Sequence, residues 1–266
     1  LWVGTLALLA GQLIAMAWAF EVIAGLPRVV GALLSATIVV LYFSGGGLLA
    51  SAWVNLLQLV TLLLGFSLAL PFAWTAAGGW EGLRAAAGPE AASSYGSFTG
   101  MGAAGVLGLV VVFVPSFIVS PGLIQKTFGA RSASSARWAA LGNAGALALF
   151  AFVPALFGMA MRAVEPGLGN PELALPRLTT DVLPMWVGGL ALAALFAAEI
   201  STADAVLFML STSLSRDLYQ AVLRPKATDA QLLRVGRLAA VGGGLLGVLL
   251  AVVLPSVASA LKLFYG

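Results

Sequence analysis

Long apolar stretches separated by short polar connections run along the whole chain. A helix that crosses a bilayer needs about 20 apolar residues. The pattern predicts helices A (Leu1–Ile23), B (Val29–Tyr42), C (Ala50–Thr75), D (Met101–Ile118), E (Ala136–Met161), F (Leu183–Leu218) and G (Leu232–Leu263). Helix B is short, so the Gly-rich stretch Ser44–Gly47 either completes it or makes a tight turn into helix C. The predicted fold class is an all-α polytopic membrane protein with about seven transmembrane helices.

The composition agrees with a membrane protein. Of the 266 residues, 61% are hydrophobic and 9% are charged, whereas about a quarter of a soluble domain is charged. The chain has no cysteine and no histidine, which removes thiolate metal sites and the commonest general base. We therefore expect no enzymatic activity and no organic cofactor. The basic residues lie scattered between spans, so we expect a lipid bilayer as partner, no nucleic acid and no obligate protein partner.

The charges of the connections predict an orientation. The D–E connection carries three basic residues and no acidic one, and the F–G connection carries five basic residues against two acidic ones. The C–D and E–F connections are each net −1. By the positive-inside rule, loops 121–136 and 219–231 are cytoplasmic. The expected location is the plasma membrane, as a multi-pass protein of a bacterial inner membrane.

Two connections and one span contain sequence features that predict additional local structure. The segment Trp80–Leu83 predicts a short interfacial helix, and Glu165–Asp181 is Pro-bounded and expected over the outer face. In helix D, Pro115 and Pro121 are six residues apart. Proline removes a backbone donor, so helix D has either a simple kink or the kind of break that marks binding sites in transporters. Both interpretations stay open.

Helix F carries polar residues at its centre, where an ionisable side chain costs roughly 2.5–3.5 kcal/mol. At about 100° per residue, Ala198, Ser201 and Asp204 share one face and Thr202 lies beside it. Such hard oxygen ligands suit an alkali or alkaline-earth cation. Alternatively, the hydroxyls bond back to the preceding turn or join helices. Glu199 lies about 160° from Ser201, which favours a structural or coupling role.

Five segments of the chain resemble motifs of the sodium:solute symporter family, and they occur in the same order as in that family. AAEISTADA with STSLSRDLY is similar to its eighth core helix, and the others are LYFSGGGLLASAWVNLLQLV, PGLIQKTFGARSASSARWAAL, NPELALPRLTTDVLP and LLRVGRLAA. The resemblance implies a five-plus-five inverted-repeat bundle of the leucine-transporter type. Helices A to G would be core helices three to nine of a single domain, 1–266, with 1–77 ending the first repeat and 101–266 forming most of the second. We expect a chain truncated at both ends, without core helices one, two and ten.

The resemblance also implies a sodium site. Its matching ligands are the Ala198 carbonyl, Ser201 and Thr202. Some family members bind a second sodium ion with an aspartate of core helix five and serines of core helix eight. Here Asn55 occupies the aspartate position and Asp204 a serine position. The hypothesis is that the carboxylate has moved from helix C to helix F, so the two side chains should approach each other.

The same resemblance implies a solute site. It places Ser116, Phe117 and Ser120 of helix D where family members contact substrate. Gln12 and Asn143 are further mid-span polar residues, for which bonding between helices is an equal alternative.

The implied function is symport of a small organic solute with Na⁺ across the plasma membrane by alternating access. One alternative is proton coupling through Glu199 or Asp204. Another, of a different class, is a membrane-embedded sensor.

Overall fold

A computed structural model describes residues 2–88, 95–118, 124 and 127–265, with their side chains except those of 46–52 and 117. The described residues form helices and turns, without a strand. In chain order the helices are α1 (Trp2–Ala24), α2 (Arg28–Ala76), α3 (Gly79–Ala87), α4 (Ala103–Ile118), α5 (Ala133–Phe150), α6 (Phe152–Val164), α7 (Ala174–Arg177), α8 (Met185–Thr212), α9 (Asp229–Val253) and α10 (Val257–Tyr265). A 3₁₀ turn, Pro171–Leu173, precedes α7, and π-helical segments follow α7 (Leu178–Val182) and α8 (Ser213–Leu223).

Six helical segments in the described part of the chain are long and apolar enough to cross a membrane. They are Trp2–Ala24, Arg28–Gly45, Trp53–Ala76, Ala133–Val164, Met185–Leu223 and Asp229–Val253, and the shorter Ala103–Ser116 is also apolar. Helical segments therefore account for the predicted spans, although predicted helices E and G each cover two helices. The prediction of an all-α polytopic membrane protein is confirmed.

Of the two alternatives for Ser44–Gly47, completion of helix B or a tight turn into helix C, the structure has the helical one. α2 runs without interruption from Arg28 to Ala76, so the glycines of Ser44–Gly47 extend the helix. Glycine breaks helices in water because exposed backbone can bond to solvent, but a bilayer offers no such competitor, and glycine is common in membrane helices. The orientation predicted from alternating spans stays a prediction.

The prediction of a single helix G is also wrong, because this segment forms two helices. α9 ends at Val253, and Leu254 is extended with ψ 133°, the conformation favoured before a proline such as Pro255. α10 then runs antiparallel to α1, since a side chain at Gly4 would meet Phe264 and one at Gly11 would meet Ala260. The apolar pattern continued through Pro255 and concealed this reversal.

Proline also accounts for the irregularity in predicted helix E. α5 and α6 are separated at Ala151, whose N–H still bonds to the Leu147 carbonyl. Pro154 cannot donate to the Phe150 carbonyl one turn earlier, and α5 ends there. In helix D, by contrast, α4 continues through Pro115 to Ile118. Pro121 lies outside the described residues, so a break there stays a prediction.

Two compact units divide the chain. The first consists of Leu1–Gly65 and Leu192–Gly266. Its core joins α1, the first half of α2, the second half of α8, and α9, through buried residues that include Leu13, Val39, Leu207 and Val248.

The second unit is Phe66–Ala191. Phe66 packs on Phe157 and Phe150 at ring distances of 5.4 and 5.9 Å. The short helix predicted at Trp80–Leu83 is present as α3, and its interfacial position stays a prediction.

Candidate functional site

The centre of α8 presents hydroxyl and carbonyl oxygens within the first unit. Thr202 Oγ1 donates a hydrogen bond to the Ala198 carbonyl at 3.0 Å, so two predicted sodium ligands lie side by side. This bond is the local back-bonding that sequence alone offered as an alternative. A hydroxyl that donates its proton keeps both lone pairs. The Thr202 and Ala198 oxygens can therefore still bind a cation.

A second contact joins this helix to α2. Ser201 Oγ donates to Asn55 Oδ1 at 2.8 Å, and both residues are half-buried. Ser201 and Thr202 are neighbours on α8, so this contact brings the Asn55 amide oxygen beside the two hydroxyls. Four of the predicted cation-site residues are thus grouped at one level of α8.

The fifth predicted residue, Asp204, lies one turn further along α8. It is 4% exposed and lines a cavity of about 670 Å³ between α2, α8 and α9. The cavity also reaches Arg216, Asp229 and Arg237, which are exposed. Asn55 bonds to Ser201, on the turn before Asp204. A direct approach of Asn55 and Asp204 stays a prediction.

Sequence reasoning also named Glu199 and five solute-site residues. Glu199 is half-buried, Gln12 is half-buried in α1, and Asn143 is exposed on α5. Ser116 Oγ donates to the Val112 carbonyl at 2.6 Å, a local bond within α4. The Phe117 side chain and all of Ser120 lie outside the described residues. The solute site stays a prediction.

Two polar contacts at the ends of the bundle were not predicted. Arg28 Nη2 donates to the carbonyls of Ala251, at 2.7 Å, and Leu254, at the end of α9. Its guanidinium lies 5.3 Å from the ring centre of Trp18. Trp2 Nε1 donates to Ser213 Oγ at 3.0 Å, where α8 changes to the π-helical segment. The one signal in the sequence was Arg28 itself, a cation in the short A–B connection.

The donors at the site are oxygens. Within the described residues, no group of three or more His, Cys, Asp and Glu side chains could hold a metal ion. Hydroxyl, amide, carbonyl and single carboxylate oxygens suit weakly bound hard cations. The fold and the site together define a multi-pass helical membrane protein with an oxygen-lined centre in one span.

The chain belongs to the sodium:solute symporter family. The model of that family matches residues 1–264. One relative is the high-affinity choline transporter 1 of Drosophila melanogaster, 25% identical over 267 residues, covering 93% of this chain and 41% of that protein. Another is a sodium/glucose cotransporter of Vibrio parahaemolyticus, 27% identical over 274 residues, covering 92% and 50%. The chain spans about half the length of the curated relatives it matches.

A solved structure of a Na⁺-coupled sialic acid symporter, substrate-bound and outward-open, has a similar fold. The TM-score is 0.73 at 19% sequence identity, over 94% of this chain and 57% of that one. At this identity the likeness shows the fold alone. It confirms the predicted leucine-transporter-like fold class.

Proposed function

We propose that this chain forms part of a transporter that couples the entry of a small organic solute to the inward movement of Na⁺ by alternating access. The observation that carries the proposal is the group of oxygens at the centre of α8. Ser201 contacts Asn55, and Thr202 contacts the Ala198 carbonyl. Membership of the sodium:solute symporter family supports the choice of Na⁺ as the cation.

In this proposal Na⁺ binds at the Ala198 carbonyl, Ser201 and Thr202. The lone pairs of the two hydroxyl oxygens are available to the cation, while the hydroxyls donate their protons to Asn55 Oδ1 and the Ala198 carbonyl oxygen. These existing hydrogen bonds orient the oxygens before the ion arrives, which reduces the entropy lost on binding. Dissociation of the ion leaves every donor satisfied, so the empty site is stable and release is reversible.

Asp204 supplies the negative charge of the site. A buried carboxylate is unfavourable at membrane depth, and a cation beside it offsets that penalty. Asn55, at the position where some family members have aspartate, contributes a neutral oxygen. We propose that one carboxylate serves the site from α8 instead of α2, with the second cation held between Asp204, Ser201 and Asn55.

The proposed solute site includes Gln12, Ser116, Phe117, Ser120 and Asn143. The relatives carry solutes as different as choline and glucose, by their names. We therefore propose a small organic solute, without assigning its charge. The proposed location is the plasma membrane, with loops 121–136 and 219–231 in the cytoplasm.

The test is uptake by the full-length protein in proteoliposomes against a panel of radiolabelled sugars, amino acids, carboxylates and quaternary amines. We expect one class of solute to accumulate under an inward Na⁺ gradient, and N-methyl-D-glucamine chloride in place of NaCl to abolish accumulation. Accumulation that follows an imposed pH gradient and ignores Na⁺ would instead support proton coupling through Glu199 or Asp204. Sodium-dependent thermal stabilisation without uptake of any solute would support a sensor.

A further inference from the structure

One side of α9 is exposed along the length of the helix, and most of that side is apolar. At about 100° per residue, six exposed residues fall within about 80° of one another. They are Arg234, Leu238, Val241, Leu245, Leu249 and Val252, called here the α9 stripe. The opposite side of the helix is packed, since a side chain at Gly243 would meet Leu210 of α8 at 3.3 Å. An exposed apolar stripe of this length is a membrane-contacting surface in a protein that spans a bilayer.

Two arginines lie at one end of the α9 stripe. Arg234 belongs to the stripe, and Arg237 follows one turn later, about 60° to one side. Both are exposed, and neither takes part in a salt bridge within the described part of the chain. The acidic residue of this helix, Asp229, lies about 140° from Arg234 around the helix axis. Residues three apart on a helix are neighbours, so one anionic group can contact both guanidinium groups.

The packing of α9 on α8 gives the depth of these arginines. A side chain at Gly236, which lies between them in sequence, would meet Ser211 Oγ at 2.6 Å. Ser211 follows the predicted centre of its span, Ser201–Asp204, by seven to ten residues, which is about 10–15 Å along a helix. Half of the hydrocarbon thickness of a bilayer is about 15 Å. The two guanidinium groups therefore reach the level at which acyl chains meet phosphate groups, and the rest of the α9 stripe lies within the acyl region.

We propose that the α9 stripe binds an anionic phospholipid, with its phosphate between Arg234 and Arg237 and an acyl chain along Leu238, Val241 and Leu245. The occupant is a lipid because the cationic and the apolar parts are continuous on one helix, as the phosphate and the chains are in a phospholipid. Arginine forms two parallel hydrogen bonds to phosphate oxygens. A headgroup with a net negative charge is preferred, since the amine of a zwitterionic lipid would bring a third cation to the same point. The inference goes beyond the proposed function and does not depend on which ion or solute is carried.

Lipid titration of the full-length protein tests the proposal. The protein is purified in a non-ionic detergent, and native mass spectrometry measures the binding of phosphatidylglycerol and of phosphatidylcholine with the same acyl chains. We expect phosphatidylglycerol to bind with a Kd about tenfold lower than phosphatidylcholine. Arg234→Gln combined with Arg237→Gln should raise the Kd for phosphatidylglycerol at least tenfold, because both phosphate contacts are lost. The Kd for phosphatidylcholine should change less than twofold, which also reports an intact fold.

The matched control is Arg224→Gln combined with Lys226→Gln. This variant removes the same two charges from exposed positions of the neighbouring connection, outside the α9 stripe, and should change the Kd for phosphatidylglycerol less than twofold. Arg234→Lys combined with Arg237→Lys should keep a preference for phosphatidylglycerol, because lysine keeps the charge but loses the planar fork.

A spin label tests whether lipid covers the stripe. These 266 residues have no cysteine, so a nitroxide is attached at Leu245→Cys after replacement of any cysteine elsewhere in the protein. In proteoliposomes we expect this nitroxide to be relaxed by dissolved oxygen, which partitions into acyl chains, and to be shielded from a water-soluble nickel chelate.

The inference is overturned if both lipids bind the unaltered protein equally, or if the control variant weakens phosphatidylglycerol binding as much as the Arg234/Arg237 variant does. Shielding of the nitroxide from oxygen and chelate alike also overturns it, because protein then covers the stripe; a dimer mass would identify that protein as a second copy. Na⁺-dependent uptake is measured separately. Absent uptake with selective lipid binding contradicts the proposed function alone, whereas uptake without selective binding contradicts this inference alone.

Discussion

The Ser201 hydroxyl donates to Asn55 Oδ1 at 2.8 Å, although the two residues are 146 positions apart in the chain. The bond joins α2 to α8 between two half-buried residues of the first unit. It fixes which rotamer Ser201 adopts, because the proton must point toward α2. The remaining lone pairs of the hydroxyl are available to a cation. A cation at this level would meet oxygens whose directions are already set.

Thr202→Val tests the sodium site while keeping the shape of the side chain. We expect the Na⁺ concentration for half-maximal uptake to rise about tenfold, equivalent to about 1.4 kcal/mol, because one oxygen ligand is lost. The measurement is the Na⁺ dependence of uptake by the full-length transporter. The control is Thr212→Val, since Thr212 makes the same local bond, to the Phe208 carbonyl at 2.7 Å. Equal effects of the two substitutions would assign Thr202 a purely structural role.

Asp204→Asn tests whether the carboxylate has moved from α2 to α8. We expect a loss of at least tenfold in apparent Na⁺ affinity, because the site loses its negative charge while the side-chain volume is kept. Asn55→Asp combined with Asp204→Ser should restore part of the affinity, since the charge returns on the facing helix beside Ser201. Na⁺ titrations of uptake for both variants measure this. Unchanged Na⁺ activation in Asp204→Asn would contradict the hypothesis.

Hydropathy predicted the helices but not the direction of the chain between them. α1 differs from its predicted bounds by one residue at each end, because its run of apolar residues has the length of one membrane span. The reversal of the chain at Pro255 was not predicted, because apolar residues lie on both sides of the turn there. The glycines at Ser44–Gly47 left a helix and a turn as alternatives, because their effect depends on whether water reaches the backbone.

The candidate site was predictable only where it lies on a single helix. The shared face of Ala198, Ser201 and Asp204 follows from helical geometry, and the family resemblance identified Asn55 as its neighbour on α2. The contact of Asn55 with Ser201 depends on the relative rotation of two helices, which the sequence does not contain. The cavity needed α2, α8 and α9 to be placed together, so no periodic pattern could indicate it.

Gly31→Ala tests the close packing of α1 on α2. A methyl group at Gly31 would lie 2.9 Å from the Ala17 Cα, which is backbone and cannot move aside. We expect a destabilisation of about 1–3 kcal/mol from overpacking, seen as a lower Tm of the purified full-length protein in detergent. Gly242→Ala is the control, because nothing lies within 4 Å of that position and alanine favours a helix by about 0.5–1 kcal/mol. A Tm lowered equally in both would rule out this cause.

Arg28, at the start of α2, contacts both α1 and the end of α9, at the end of the first unit opposite the F–G connection. Its Nη2 group bonds to two carbonyls at the end of α9, and its guanidinium lies over Trp18 of α1. The last carbonyls of a helix have no partner within the helix, and a cation also interacts favourably with the negative end of the helix dipole. Arg28 therefore fixes the point at which the chain reverses into α10.

Arg28→Ala should lower the Tm of the full-length protein by several degrees, because two charge-assisted hydrogen bonds of about 1.5–3 kcal/mol each are lost. Arg28→Lys should recover part of this loss, since lysine keeps the charge but not the planar fork. Arg84→Ala is the matched control: Arg84 lies 5.2 Å from the ring centre of Trp80, and an exposed cation–π contact contributes about 0.5–1 kcal/mol. Hydrogen exchange should locate the effect of Arg28→Ala at residues 251–257. If exchange there is unchanged while the Tm falls, Arg28 acts elsewhere than at the end of α9.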